Sequence, residues 1–315
     1  MKRRSFLMSS VAMGALALAA PQAFAQTKMT ILGSVPNLGF PFFVHMLNQI
    51  KAEAAASGVN LLESDGQNSA PKQTADVEAA VVQKVNAIVI SPLDVNALAP
   101  ALDEAVKAGI PVVTIDRRVE GVEGILAHVG ADNVKGGEAQ ANALVSRFPN
   151  GAKLFHLQGQ PGAGPAIDRN KGVHNILDGK ADKYKIIFEQ TANFARAEAL
   201  SVTEAGLAAN GKPDAIICAN DDMALGAIEA CNARGFKDVA IYGFDALPEA
   251  LVAVRDGTLA GTVEQFPGEQ SRTAVKIAVA FAKDGTKPEK NLVLLTPIVI
   301  GKDNLNKAER IAETQ

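Results

Sequence analysis

Two short runs end an apolar stretch in a carboxylate: Val112-Val113-Thr114-Ile115-Asp116-Arg117 and Ala240-Ile241-Tyr242-Gly243-Phe244-Asp245. Each apolar part reads as a buried parallel strand. In open α/β sheets, small molecules bind beyond the carboxyl ends of such strands. Asp116 and Asp245 are therefore delivered to a binding crevice from two similar halves of the chain. An ionised Asp accepts hydrogen bonds from hydroxyls, and Arg117 donates several in a fixed fork. A structural ion pair, with Asp116 capping the next turn, uses the same residues. So does a glycosidase acid/base pair of carboxylates, which remains a minor alternative.

Three loops add polar and aromatic groups. Phe40-Pro41-Phe42-Phe43 either stacks on the C–H faces of a ring-shaped ligand or staples the start of a helix. Ala219-Asn220-Asp221-Asp222 follows another apolar run. There Asn220 suits a ligand hydroxyl, and one of the two acids suits the helix N-cap. Gly159-Gln160-Pro161-Gly162-Ala163-Gly164 superficially resembles a dinucleotide fingerprint, but its spacing is wrong and it lacks Gly-Lys-Ser/Thr. It reads as a loop that lets backbone approach the cleft. The four histidines, His45, His128, His156 and His174, show no metal-ligand spacing. No Gly-x-Ser-x-Gly elbow occurs, and no metal or cofactor is expected.

Positioning these groups requires alternating strands and helices. Strands are expected at Met29–Gly33, Val59–Glu63, Ala87–Ile90, Pro111–Ile115, Lys153–Leu157, Tyr184–Glu189, Ala215–Cys218, Val239–Tyr242, Leu259–Val263 and Leu292–Leu295. Ile125–Val129 reads as a short crossing strand. Amphipathic helices fill the intervals. Ala87-Ile88-Val89-Ile90-Ser91-Pro92 parallels Ala215-Ile216-Ile217-Cys218-Ala219-Asn220, so the fold class is α/β with two duplicated lobes, each a parallel sheet flanked by helices.

The chain starts with Lys2, Arg3 and Arg4, an apolar run from Phe6 to Ala20, and Ala23-Phe24-Ala25. That is the pattern of a secretory signal over residues 1–25, of Sec or twin-arginine type. Its removal leaves 28 basic against 34 acidic side chains, a poor balance for nucleic-acid binding. Cys218 and Cys231 admit a disulfide in an exported protein, although two buried thiols fit their apolar surroundings as well.

Taken in order, several markers resemble the periplasmic sugar-binding proteins of bacterial ABC importers, specifically the ribose-binding type. They are Pro41-Phe42-Phe43, Asp116-Arg117, Asp132-Asn133, Leu157-Gln158-Gly159, Arg169 with Gly172, Phe194, Asn220-Asp221 with Met223-Ala224-Leu225-Gly226-Ala227, Gly243-Phe244-Asp245 and Gln265. The resemblance implies a type I periplasmic binding protein with a three-segment hinge. Its N-terminal lobe would comprise 28–131 plus 266–295, and its C-terminal lobe 132–265 plus 296–315. It implies a pocket of Phe42, Phe43, Asp116, Arg117, Phe194, Asn220, Asp245 and Gln265, with Phe43 and Phe194 sandwiching the ligand and Gln265 at the hinge.

Two positions depart from the ribose-binding pattern. Phe40 stands where an Asn is usual, and Ile167 where an Arg is usual. Two apolar replacements imply a ligand with a less polar edge than ribose: a deoxy-sugar, another pyranose or a sugar alcohol. The implied partners are that sugar or polyol and an inner-membrane ABC permease, with a chemoreceptor as a further partner of the same protein, itself a periplasmic monomer. A sugar-responsive repressor shares the fold but would carry an N-terminal helix-turn-helix, which the signal replaces.

Overall fold

The structure, a computed structural model, describes residues 28–314. The export signal read in residues 1–25 lies outside them. From the start, strands and helices alternate: β1 (Thr30–Val35), α1 (Pro41–Ala56), β2 (Asn60–Asp65), α2 (Ala70–Val82), β3 (Ala87–Ile90), α3 (Ala99–Lys107), β4 (Val112–Ile115) and β5 (Ala127–Ala131). Together with β11 (Leu292–Leu295) these strands form a six-stranded sheet in the order β11-β5-β4-β3-β1-β2. All its pairings are parallel. Every residue of β3 and β4 is buried, because helices cover both faces and only continuous apolar runs fit there. β5 is not a crossing strand as the sequence suggests. It lies inside this sheet, between β4 and β11.

The second sheet follows the same logic. α4 (Asn133–Arg147), β6 (Ala152–Gln158), α5 (Gly164–Leu177), β7 (Tyr184–Thr191), α6 (Arg196–Asn210), β8 (Ala215–Cys218), α7 (Asp221–Ala233) and β9 (Ala240–Tyr242) succeed one another. The strands pair in the order β7-β6-β8-β9, again all parallel. α8 (Pro248–Asp256) and β10 (Thr262–Glu264) follow, then α9 (Pro267–Asp284), which packs on β3, β4, β5 and α1 of the first sheet. A last strand, β12 (Ile298–Ile300), pairs antiparallel with β10. The chain thus passes between the two parallel sheets three times, from β5 to α4, from β10 to α9 and from β11 to β12. β10 begins later than the expected Leu259–Val263, and β12 is not legible as a strand: it is three residues long and directly follows Pro297.

Glycine sets how closely α5 approaches α4. A Cβ at Gly137 would lie 2.3 Å from the Arg169 carbonyl oxygen, and one at Gly172 would lie 2.1 Å from that of Val134. Only bare backbone permits this contact, which brings the first turns of α5 to the cleft. Cys218 and Cys231 are both buried free thiols, so no disulfide joins them. Among the described residues no helix is long and apolar enough to cross a membrane.

Candidate functional site

A cavity lies between the two sheets. It is lined by Phe40, Phe42, Phe43, Asp116, Arg117, Pro165, Arg169, Phe194, Asn220, Asp245 and Gln265. The two Asp-terminated strands reach it in the same way. The Asp116 N–H, just past β4, donates to the Val129 carbonyl at 2.9 Å, and the Asp245 N–H, just past β9, donates to that of Val263 at 2.8 Å. Each N–H thus ties its loop to the next strand while the side chain turns off the strand line. That turn uses uncommon backbone: φ is 55° at Asp116, 112° at Asp245 and 62° at Phe194. Positive φ is rare for side-chain-bearing residues and clusters at functional sites.

Two Asp–Arg sets face each other, one from each half. Asp116 Oδ2 accepts from Ser91 Oγ at 3.1 Å and lies 3.9 Å from Arg117 Nε. Arg117 Nη1 donates to the Leu93 carbonyl at 2.7 Å. In the other half, Arg169 Nη1 donates to the Ala219 carbonyl at 2.7 Å and to Asp245 Oδ1 at 3.4 Å, and its Nε donates to Asn133 Oδ1 at 2.9 Å. Gln265 Nε2 donates to Asp245 Oδ1 at 2.6 Å. Aromatic faces hold both guanidiniums: Arg117 lies 5.2 Å from the Phe43 ring centre, and Arg169 lies 3.6 Å from that of Phe244. Phe194 stands near both, at 5.7 and 5.9 Å, and cation–π attraction operates at such ranges.

These charges are kept out of water at a cost. Burial pushes the Asp245 carboxyl up to about 7 against the pull of Arg169. Burial likewise raises Asp116, with Arg117 and Arg169 opposing, and lowers Arg117 to about 10 against the opposing field of Asp116. Two buried polar atoms of the lining, Arg117 Nε and Gln265 Oε1, have no hydrogen-bond partner. Buried groups without partners are exceptional in folded proteins. A donor and an acceptor left open in a lining that also carries aromatic rings suit a ligand whose hydroxyls do both.

The structure brings nine of the ten sequence-derived candidates to this cavity: Phe40, Phe42, Phe43, Asp116, Arg117, Phe194, Asn220, Asp245 and Gln265. Ile167 is a correction, being 46% exposed and outside the lining. In its place stand Pro165 and Arg169. The reason is helical geometry: at 100° per residue, Arg169 lies about 40° from Pro165 around α5, whereas Ile167 lies about 200° away. Phase from the first helical turn was the signal available for Arg169. Asn220 corrects a second expectation. It is itself the α7 N-cap, its Oδ1 accepting from the Met223 N–H at 3.0 Å, while its Nδ2 donates to the Phe194 carbonyl at 3.1 Å. Asp221 instead ties the start of α8 to β10, accepting from the Leu247 N–H at 2.8 Å and Thr262 Oγ1 at 2.7 Å.

The Gly-rich loop after β6 closes the rim. The Gly162 carbonyl accepts from the Val95 N–H at 3.0 Å, Gln160 Nε2 donates to Asn68 Oδ1 at 3.0 Å, and Arg118 Nη1 meets Asp168 Oδ2 at 2.5 Å. All three contacts bridge the two halves.

The periplasmic binding protein domain model matches residues 31–287, and the chain belongs to that family. Over 276 residues it is 38% identical to the ribose import binding protein RbsB of Bacillus subtilis, covering 87% of this chain and 88% of that one. Among solved structures it is similar to a Caulobacter myo-inositol binding protein bound to myo-inositol, at 42% identity and a TM-score of 0.87, covering 90% of this chain and 97% of that one. An ABC transporter solute binding protein from Bacillus halodurans with bound myo-inositol is 30% identical with a TM-score of 0.84, covering 89% and 96%.

Proposed function

We propose that this protein is the solute-binding component of an ABC importer and carries one monosaccharide or polyol ring in the cavity between its lobes. One observation carries the reading. An Asp–Arg set from each lobe, with the unpartnered Arg117 Nε and Gln265 Oε1, converges on one cavity that Phe43 and Phe194 also line. Carboxylates and guanidiniums match the hydroxyls at a ring's edge, and aromatic faces match its C–H surface. The relatives named for ribose and myo-inositol support the same ligand class. Phe40 in the lining favours a ligand with one less polar edge; Ile167, outside it, no longer contributes to that argument.

Binding couples to closure because neither lobe alone supplies all the contacts. The ligand thereby stabilises the shut form through differential affinity. In this reading the lobes are 28–131 with 266–295 and 132–265 with 296–315, hinged at the three crossings. The monomer is exported to the periplasm, releases its ligand unchanged, and presents its closed shape to a membrane permease and to a chemoreceptor. A thermal-shift panel of D-ribose, myo-inositol, hexoses, deoxy-sugars and xylitol tests the reading. A ligand at 100 times its Kd adds about 2.7 kcal/mol of stability, an upward shift of several degrees. A folded, ligand-free protein that responds to none of them refutes it.

A further inference from the structure

The described residues contain one grouping of three imidazole or carboxylate donors suited to a metal, and it lies away from the cleft. His156 on β6, His174 on α5 and Glu189 on β7 place one ligand atom each within 4.8 Å of one another. His156 Nδ1 and His174 Nε2 both lie 2.9 Å from Glu189 Oε1. His174 Nδ1 lies 2.8 Å from Asp178 Oδ1.

We infer that His156 Nδ1, His174 Nε2 and the Glu189 carboxylate form a binding site for one divalent transition-metal ion, zinc being the best chemical match. Two imidazoles and a carboxylate are borderline ligands that suit Zn²⁺ better than Mg²⁺ or Ca²⁺, which prefer all-oxygen shells. Bonds of about 2.0–2.2 Å at tetrahedral angles set neighbouring donors roughly 3.4 Å apart. The two donor–acceptor gaps of 2.9 Å therefore widen by only a few tenths of an ångström. Asp178 supplies the outer partner that metal-bound histidines characteristically have: it takes the His174 Nδ1–H and leaves Nε2 facing the metal.

Charge points the same way. Glu189 and Asp178 bring two negative charges, which one divalent ion between neutral imidazoles balances. Both nitrogens of His174 face carboxylates, Nδ1 toward Asp178 and Nε2 toward Glu189. The hydrogen bonds within the group fall on Glu189 Oε1, including one from Gln158 Nε2 at 2.6 Å. Gln158 Nε2 also donates to Asn170 Oδ1 at 3.0 Å, so it retains a partner when Glu189 turns to the metal. His156 is buried, but His174 and Glu189 are partly exposed and border a surface groove with Asp178 and Tyr184. That groove admits the ion and a water as fourth ligand. The ion would tie β6, β7 and α5 together.

Isothermal titration of Zn²⁺ into the chelator-treated protein, freed of any histidine tag, is the test. One Zn²⁺ per chain is expected, with no comparable response to Mg²⁺ or Ca²⁺. His174→Gln and Glu189→Gln should abolish saturable binding. Asp178→Asn, which removes only the outer partner, should weaken it by about 10- to 100-fold. Circular dichroism melts establish that each variant is folded. Absence of stoichiometric Zn²⁺ binding by the unaltered protein overturns the inference whatever the variants do. Undiminished binding by folded His174→Gln overturns it too, because the metal then sits on other residues.

Discussion

Replacing Asp245 by asparagine keeps the size of the side chain and removes its charge. In the wild type Oδ1 already serves Gln265 Nε2 at 2.6 Å and Arg169 Nη1 at 3.4 Å, leaving Oδ2 as the oxygen for the ligand. The asparagine must keep its carbonyl toward those two donors, which turns its NH₂ toward the cavity. A ligand hydroxyl that donated to a carboxylate then meets a donor. The loss is one charge-assisted hydrogen bond, about 1.5–3 kcal/mol, or roughly 10- to 150-fold in Kd. Folding stability behaves differently. Burial lifts the Asp245 carboxyl to about 7, so ionising it inside the protein costs on the order of 4 kcal/mol. A neutral asparagine avoids that cost but leaves Arg169 without its carboxylate, and the two changes oppose each other. The expected signature is a large loss of affinity with little change in the melting temperature of the ligand-free protein. Calorimetric titration with whichever of D-ribose or myo-inositol binds, beside a thermal melt, reads both quantities. A Kd within threefold of wild type would refute the assignment of Asp245 to the ligand.

The same carboxyl predicts pH dependence. Hydroxyls bind the ionised form, so affinity should fall below pH 7, to about 30-fold weaker at pH 5.5 than at pH 8 if that form alone binds; a flat profile contradicts this. For folding the sign is opposite: a carboxyl raised in the folded state contributes stability below its unfolded value, lost as pH rises through about 7, and denaturant titrations of ligand-free protein at pH 4.5 and 8 measure it. Arg118→Ala removes the rim contact to Asp168. Because that pair is about one-third and one-quarter exposed, affinity should drop only about 2- to 5-fold, seen as faster release in stopped flow; unaltered kinetics would mean the rim does not latch. In Gly159→Ala the new Cβ would lie 2.3 Å from the tip of the Phe194 ring. The ring must move off the cavity, costing about 1–3 kcal/mol of stability together with affinity, and unchanged binding would show that Phe194 does not contact the ligand.

Much of this protein was determined by sequence alone. The alternation of apolar runs and amphipathic stretches identified the α/β class, since a strand buried on both faces tolerates only residues such as those of Ala87–Ile90. Strand-end position identified Asp116 and Asp245, because a parallel sheet has one chemically useful edge. Local pattern failed where the deciding neighbour is distant in the chain. Ile167 and Arg169 are two residues apart, so helical phase puts them on different faces of α5, and the docking of α5 on α4 through Gly137 and Gly172 decides which face meets the cavity. β12 is a strand because β10 offers it an edge, not because three residues after a proline show a period. Asn220 caps α7 because its backbone enters the helix extended, a geometry that its sequence neighbours did not distinguish from that of Asp221. His156, His174 and Glu189 show no ligand spacing along the chain. They meet because β6 and β7 are adjacent strands and α5 packs beside them, and such long-range juxtaposition is fixed by tertiary packing alone.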